Sequence, residues 1–342
     1  MREISIQKNE AGQRMDKFLA KYLNKAPKSF FYKMMRKKNI TLNGKKAVGN
    51  EQLKQGDVIK LFLAEETIGN FIDHSQFSKK KASSARKQTA GKKVQLDILY
   101  EDEAAVFINK PVGMLSQKAS PTDTSLVEYF IDYLLENGKI TEEELHTFHP
   151  SVCNRLDRNT SGIVAAGKTL QALQGLSEMF RDRTLKKYYL CLVKGQVKEN
   201  QRIHGYLVKN EKTNKVTVSQ KKPAEQTKDG KEASAIDTEY KVLARNRETT
   251  LLEVHLITGK THQIRAHLAS IGHPIAGDYK YGNRSFNDAL KKEYGLRSQL
   301  LHAYRLEFPE NCEGDIKQLS GKIIKAPVPA LFEQICKAQG VM

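Results

Sequence analysis

Acidic residues are in short supply in this chain. Against 57 Lys and Arg stand only 39 Asp and Glu, a formal charge of +18. That deficit points to a polyanionic partner, nucleic acid or an anionic membrane surface, ahead of the blander reading in which surplus charge only keeps the protein soluble. Long apolar runs are missing too. None approaches the ~20 residues of a spanning helix, and the start, MREISIQKNEAGQRMDKF, is charged throughout and has no apolar signal core. Membrane attachment is therefore not expected. Cysteine is sparse and scattered: Cys153, Cys191, Cys312 and Cys336 form neither a disulfide framework nor a paired metal motif. A reducing cytoplasm fits that usage. At 39% hydrophobic and 28% charged over 342 residues, the composition is that of a globular protein with room for two domains.

Residues 1–66 read as a small helix-then-strand module. Met15, Phe18, Leu19, Tyr22 and Leu23 recur at helical spacing, and Phe30, Phe31, Met34 and Met35 form a second stripe. Ile40–Leu42 runs into Asn43-Gly44, a strong hairpin signal, and Val58–Leu63 makes another strand. The polar faces carry Lys17, Lys21, Lys25, Lys28, Lys33, Arg36, Lys37, Lys38, Lys45 and Lys46 almost unopposed, which favours a nucleic-acid surface over a merely solvated one. Residues 67–94 read as a basic linker, since seven Lys and Arg between 79 and 93 meet no acid and little apolar area. From 95 to about 335 the chain is globular. Strands are expected at 105–108, 162–166, 189–193 and 250–256, and helices at 125–136, 169–181 and 261–271. This is an α+β pattern with a largely antiparallel sheet. The lysine-rich stretch 209–232 reads as an excursion from that core.

Several chemistries can be set aside. Gly162-Ile-Val-Ala-Ala-Gly167-Lys168-Thr169 has the spacing of a phosphate-binding loop, but its four central residues are the apolar strand and a polar turn precedes it. His262 and His267 are five apart, off the shared face of a helical metal pair, and His273 adds no ligand pattern. No metal is expected. Neither a nucleophile elbow nor a Cys–His arrangement stands out.

A carboxylate among arginines remains. In Asn154-Arg155-Leu156-Asp157-Arg158-Asn159-Thr160-Ser161-Gly162 the single acid sits between two guanidinium groups, surroundings that favour an ionised, directed carboxylate. An isolated Asp-Arg would more often just close a turn. Here a second polar cluster, Thr258-Gly259-Lys260-Thr261-His262-Gln263-Ile264-Arg265, follows another apolar strand in the same manner.

The turn resembles the R-L-D-x-x-T-S-G signature of the RluA family of pseudouridine synthases. Further blocks agree in order: Asn109–Gly113, Lys187–Leu190 with Val193–Gly195, Thr258–Arg265 with Gly272–Ile275 and Gly277-Asp278, and Leu301–Leu306. Two positions depart from the usual pattern, Asn154 in place of His and Lys260 in place of Arg. The resemblance implies a pseudouridine synthase catalytic domain over 95–335, behind an alpha-L (S-four-type) RNA-binding domain at 1–66. It implies that Asp157 is the catalytic carboxylate, Tyr189 the ring beside the target uracil and Arg265 the partner of Asp157. Arg155 would enter the RNA stack where the target base leaves, and Lys187, Lys260, His262, Lys33, Arg36, Lys37 and Lys38 would contact RNA. The expected substrate is large-subunit ribosomal RNA, with transfer RNA as the alternative. The expected enzyme is a cytoplasmic monomer with no cofactor. A non-catalytic RNA-binding or ribosome-assembly factor is the rival from another class, but it has no use for Asp157, Tyr189 and Arg265.

Overall fold

A computed structural model describes residues 1–72, 94–142, 144–210, 213–223 and 233–342. At the N-terminus, β1 (Arg2–Ser5), α1 (Met15–Tyr22), α2 (Lys28–Arg36), β2 (Ile40–Leu42), β3 (Lys45–Lys46), β4 (Val58–Leu61) and α3 (Glu65–Phe71) surround one small core. Its four strands are antiparallel in the order β1-β4-β2-β3. The two helical stripes meet there: Phe18, Leu19, Phe31 and Met35 are buried with Ile40, Ile59 and Leu61. Asn43 and Gly44 both take positive φ, 49° and 73°, as a two-residue hairpin turn of this hand requires. Residues 67–72, expected to open the linker, instead belong to this module. Ile68 is fully buried and the Phe71 ring lies 4.7 Å from Phe30, and that apolar contact holds the segment as helix. The basic run expected at 79–93 lies outside the described residues.

The larger part holds β5 (Ile98–Glu101), β6 (Ala105–Lys110), α4 (Leu126–Glu136), β7 (Ser151–Val152), β8 (Ser161–Gly167), α5 (Leu170–Asp182), β9 (Lys186–Lys194), β10 (Gln201–Asn210), β11 (Lys215–Ser219), β12 (Ser234–Arg245), β13 (Thr249–Leu256), α6 (Gln263–Ser270), α7 (Arg284–Tyr294), β14 (Leu301–Glu307), β15 (Ile323–Lys325) and α8 (Ala330–Ala338). One sheet runs β11-β10-β12-β13-β9-β14-β8-β6-β5, with β15 on β14 and β7 on β8. Every pairing is antiparallel except β14 with β8. Alternation along β9 divides the core: Tyr189, Cys191 and Val193 enter one cluster, while Leu190 and Leu192 enter another on the opposite face.

The parallel β8–β14 contact depends on one glycine. Gly162 has φ +114°, and a Cβ there would lie 2.1 Å from the Ala303 carbonyl oxygen. The chain leaving Asp157 can therefore enter the sheet directly beside β14. Gly162–Gly167 is strand, Lys168 pairs with Glu101 at 2.8 Å, and Thr169 caps α5, so no phosphate loop forms there. Nor is the described part of 209–232 a simple excursion. Residues 209–210 finish β10, and β11 is the sheet's edge strand, tied down by Val216, which is buried with Leu207, Ile236 and Ala266. Residues 211–212 and 224–232 lie outside the described residues. The two parts of the chain touch through the loop after β1: the Thr147 hydroxyl donates to buried Glu10 at 2.6 Å and the Asn9 amide to Glu144 at 2.9 Å.

Candidate active site

The turn between β7 and β8 is fastened at both ends. Buried Leu156 exchanges hydrogen bonds with the Ser116 hydroxyl through its own N–H and C=O, each 3.0 Å long. Asn154 is laced to β8: its amide donates to the Ile163 carbonyl at 3.2 Å, and its carbonyl accepts from Ala165 N–H at 2.8 Å. Further on, Gln299 donates to Thr160 at 3.1 Å, and the Ser161 hydroxyl lies 2.9 Å from His302 Nδ1. Beneath the turn, fully buried Lys110 donates through Nζ to the carbonyls of Pro111, Met114 and Arg158 at 3.0, 2.9 and 3.2 Å. Burial pushes that ammonium down to about 8, while the Asp157 charge opposes the shift.

Asp157 is thereby presented at the edge of the core with its side chain 26% exposed. Its Oδ2 accepts from Arg265 Nη1 at 2.8 Å, whereas Oδ1 takes no hydrogen bond among the described residues. Arg265 stands in the first turn of α6 and does not owe its position to Asp157 alone. Its Nε and Nη2 donate to Asp278 Oδ2 and Oδ1 at 2.7 and 2.9 Å, a bidentate grip by a carboxylate only 1% exposed. Burial works against the guanidinium charge, but Asp278 and then Asp157 outweigh it and hold the group well above its usual range. Asp278 in turn accepts from the backbone N–H groups of Lys280 and Tyr281. Tyr281 completes the wall, its ring centroid 5.2 Å from the Arg265 guanidinium carbon. Tyr189, on β9, is buried. Burial and then the nearby Asp157 charge raise its hydroxyl well beyond the ordinary tyrosine value.

The family model for RNA pseudouridylate synthases matches residues 104–270, the span that holds Asp157, Tyr189 and Arg265. The ribosomal large subunit pseudouridine synthase C of Vibrio parahaemolyticus is 33% identical, over 97% of this chain and 94% of its own. That of Vibrio vulnificus is 33% identical over 89% and 87%. The chain belongs to the pseudouridine synthase family. Its fold is that family's as well. The solved structure of human RNA pseudouridylate synthase domain containing 4 superposes with a TM-score of 0.57 at 22% identity, over 78% of this chain and 98% of that one.

In this synthase Asp157, Arg265, Tyr189 and His262 come together. His262 Nε2 lies 3.9 Å from Asp157 Oδ2. Lys260 is exposed just before α6, and Arg155 is exposed on the Asp157 turn. Lys33, Arg36, Lys37 and Lys38 form an exposed row on α2 and the turn after it. Lys187 does not join any of these. It is buried with its ammonium 6.0 Å from the Phe180 ring, because α5 covers that end of β9, so it presents no surface cation to a phosphate. His267 turns to Thr238 and His273 to the Lys194 carbonyl, away from His262. Asp278, Tyr281 and Lys110 stand in this site without having been assigned a role from sequence. For Lys110 and Asp278 the only available signal was their place in the quoted blocks Asn109–Gly113 and Gly277-Asp278; Tyr281 lies outside every quoted block.

His302, behind the Asp157 turn, supplies a stability prediction. Burial pushes its imidazole down to about 4, against the pull of the Ala326 and Pro327 backbone. An unfolded histidine titrates near 6.5, so on acidification the unfolded chain takes up a proton that the folded protein refuses. The stabilisation is complete above about pH 6.5 and is lost as pH falls towards 4, about 3 kcal/mol in all. Urea unfolding of wild type and His302→Gln near pH 7 and pH 4.5 should show the variant losing roughly 2–3 kcal/mol less over that interval. Equal losses in the two proteins would contradict this account.

Proposed function

We propose that this synthase converts uridine to pseudouridine in large-subunit ribosomal RNA, with Asp157 as the carboxylate that acts on a flipped-out nucleotide. The observation that carries the reading is the state of Asp157 itself: one oxygen held by an arginine that is locked in turn, the other free for a reacting atom. In the isomerisation the bond from N1 to the sugar breaks, the uracil turns, carbon 5 bonds to the sugar and its proton is lost, while N1 gains one. No oxidant, reductant or group donor enters this balance. The target base must leave its stack at a cost of a few kcal/mol. Stacking on an aromatic ring returns about 1–3 kcal/mol, the role given to Tyr189. Arg155, exposed on the same turn, fills the vacated place in the RNA, and Lys260 and His262 meet the nucleotide's surroundings.

The choice of RNA is supported by relatives named for the large ribosomal subunit and by the +18 charge. Residues 1–72 are read as the alpha-L RNA-binding module, with Lys33, Arg36, Lys37 and Lys38 on phosphates. The reading makes the enzyme a cytoplasmic monomer that needs no cofactor. No helix of the described residues is long and apolar enough to cross a membrane. The deciding experiment maps pseudouridines in ribosomal and transfer RNA from cells with and without the gene. Loss of defined large-subunit sites is expected, restored by the wild-type gene. Loss confined to transfer RNA would overturn the substrate assignment, and no loss in either RNA would overturn the activity.

A further inference from the structure

His262 occupies a strained position that its own local sequence does not explain. It caps α6 with φ +54°, a left-handed conformation uncommon for a residue with a side chain. The consequence is that the imidazole is held between two fixed groups. On one side Nδ1 lies 2.9 Å from the Tyr281 hydroxyl, and on the other Nε2 faces Asp157 Oδ2 at 3.9 Å. The Tyr281 oxygen also accepts from the backbone N–H of Val216, on the edge strand β11, at 2.9 Å.

This chain of contacts favours one placement of the protons. A phenol has one hydrogen to give. With Val216 N–H already donating to the Tyr281 oxygen, the tyrosine's own O–H finds its acceptor in a bare His262 Nδ1, and the opposite arrangement would turn a bare Nε2 towards the Asp157 carboxylate 3.9 Å away. A neutral imidazole with a bare Nδ1 carries its hydrogen on Nε2. Burial, with Arg265 and Lys280 adding to it, lowers the imidazole from its ordinary value against the pull of Asp157 and Asp278, which keeps it neutral. Nε2 makes no hydrogen bond among the described residues, so a fixed N–H donor stands unused beside the carboxylate.

We infer that His262 is a further catalytic residue: in its Nε2–H form it donates a hydrogen bond to a carbonyl oxygen of the uracil as the base detaches. When the bond from N1 to the sugar breaks, its electron pair passes to the ring and is shared with the carbonyl oxygens. A donor already in place there stabilises that charge without reorganisation. The strand β11 thus acts on the site through Tyr281. The inference rests on the reading of Asp157 as the reacting carboxylate.

Two measurements test it. In protein carrying nitrogen-15 histidine, the imidazole signals that vanish in His262→Gln identify the residue, and at neutral pH they should report the Nε2–H tautomer. Tyr281→Phe, which keeps the ring but removes the hydroxyl, should abolish that preference. In single-turnover assays on a ribosomal RNA fragment, His262→Leu should slow the chemical step about 100-fold, the scale of one lost donor, with RNA affinity changed less than about twofold. His262→Gln, whose amide nitrogen can stand where Nε2 was, should recover about tenfold of that. Melting curves on each variant verify folding, and Tyr281→Phe offers an independent arm should leucine disturb the α6 cap. An Nδ1–H or doubly protonated His262 in wild type would overturn the inference. A His262→Leu defect confined to RNA affinity would do so as well. If Asp157→Asn stays active, the reading of the site fails; if it is inactive while the His262 results are negative, only this inference fails.

Discussion

Asp157→Asn should bind RNA as the wild type does and form no detectable pseudouridine. The amide has the shape of the carboxylate, and its oxygen can still accept from Arg265 Nη1, now at 2.8 Å. The turn, fastened by Ser116, Asn154 and Lys110, has no cause to move. What disappears is the negative charge and the basicity of the open oxygen, and every route available to this residue needs both: addition to the uracil, attack on the sugar, or removal of a sugar proton. The expected loss is at least about 1,000-fold in the single-turnover rate, some 4 kcal/mol of barrier. Filter binding to a ribosomal RNA fragment should change less than about threefold, in the direction of tighter binding, because one negative charge has left a surface that meets phosphates. A variant that kept a rate within tenfold of wild type would remove Asp157 from the chemistry.

The Asp157 turn was legible in the sequence because it is a change of texture: a polar, arginine-flanked run passes directly into Gly162–Gly167, an apolar strand that the fold buries completely. Asn43-Gly44 was legible for a related reason, since two small residues that tolerate positive φ leave few alternatives to a tight turn. What escaped was set by partners distant in the chain. Lys187 has the surroundings of a surface lysine in the run Lys-Lys-Tyr-Tyr, and only α5, folded over it, makes it interior. In β11 the residues Lys-Val-Thr-Val-Ser alternate, so half of them read as solvent-facing, and the burial of Val216 becomes visible only once α6 lies against that face. Residues 67–72 carry Ile68, Phe71 and Ile72 but stand before the basic run at 79–93 that made 67–94 read as linker, and only the ring of Phe30, distant in sequence, shows where Phe71 belongs. The hold of Asp278 on Arg265 reaches across thirteen positions, from α6 over the irregular chain that follows Ser270, where neither helical nor strand periodicity predicts a contact.

Removing that hold should have the second-largest effect. Asp278→Ala leaves Arg265 Nε and Nη2, two donors in a nearly dry site, without acceptors, and it also frees the N–H groups of Lys280 and Tyr281. Breaking one side of a buried pair costs about 3–5 kcal/mol, because the remaining charge stays buried and uncompensated. Urea unfolding should show a loss of that size. Activity should fall as well, by roughly 10–100-fold in the fraction still folded, since an arginine no longer gripped along its Nε edge can turn that edge to Asp157 and occupy the oxygen otherwise left open. The control removes the stranded charge too. Arg265→Met combined with Asp278→Ala should be less destabilised than the two single losses added together, by about 1–3 kcal/mol of coupling. Simple additivity, or an Asp278→Ala protein as stable as wild type, would mean that Arg265 is held in place by something other than Asp278.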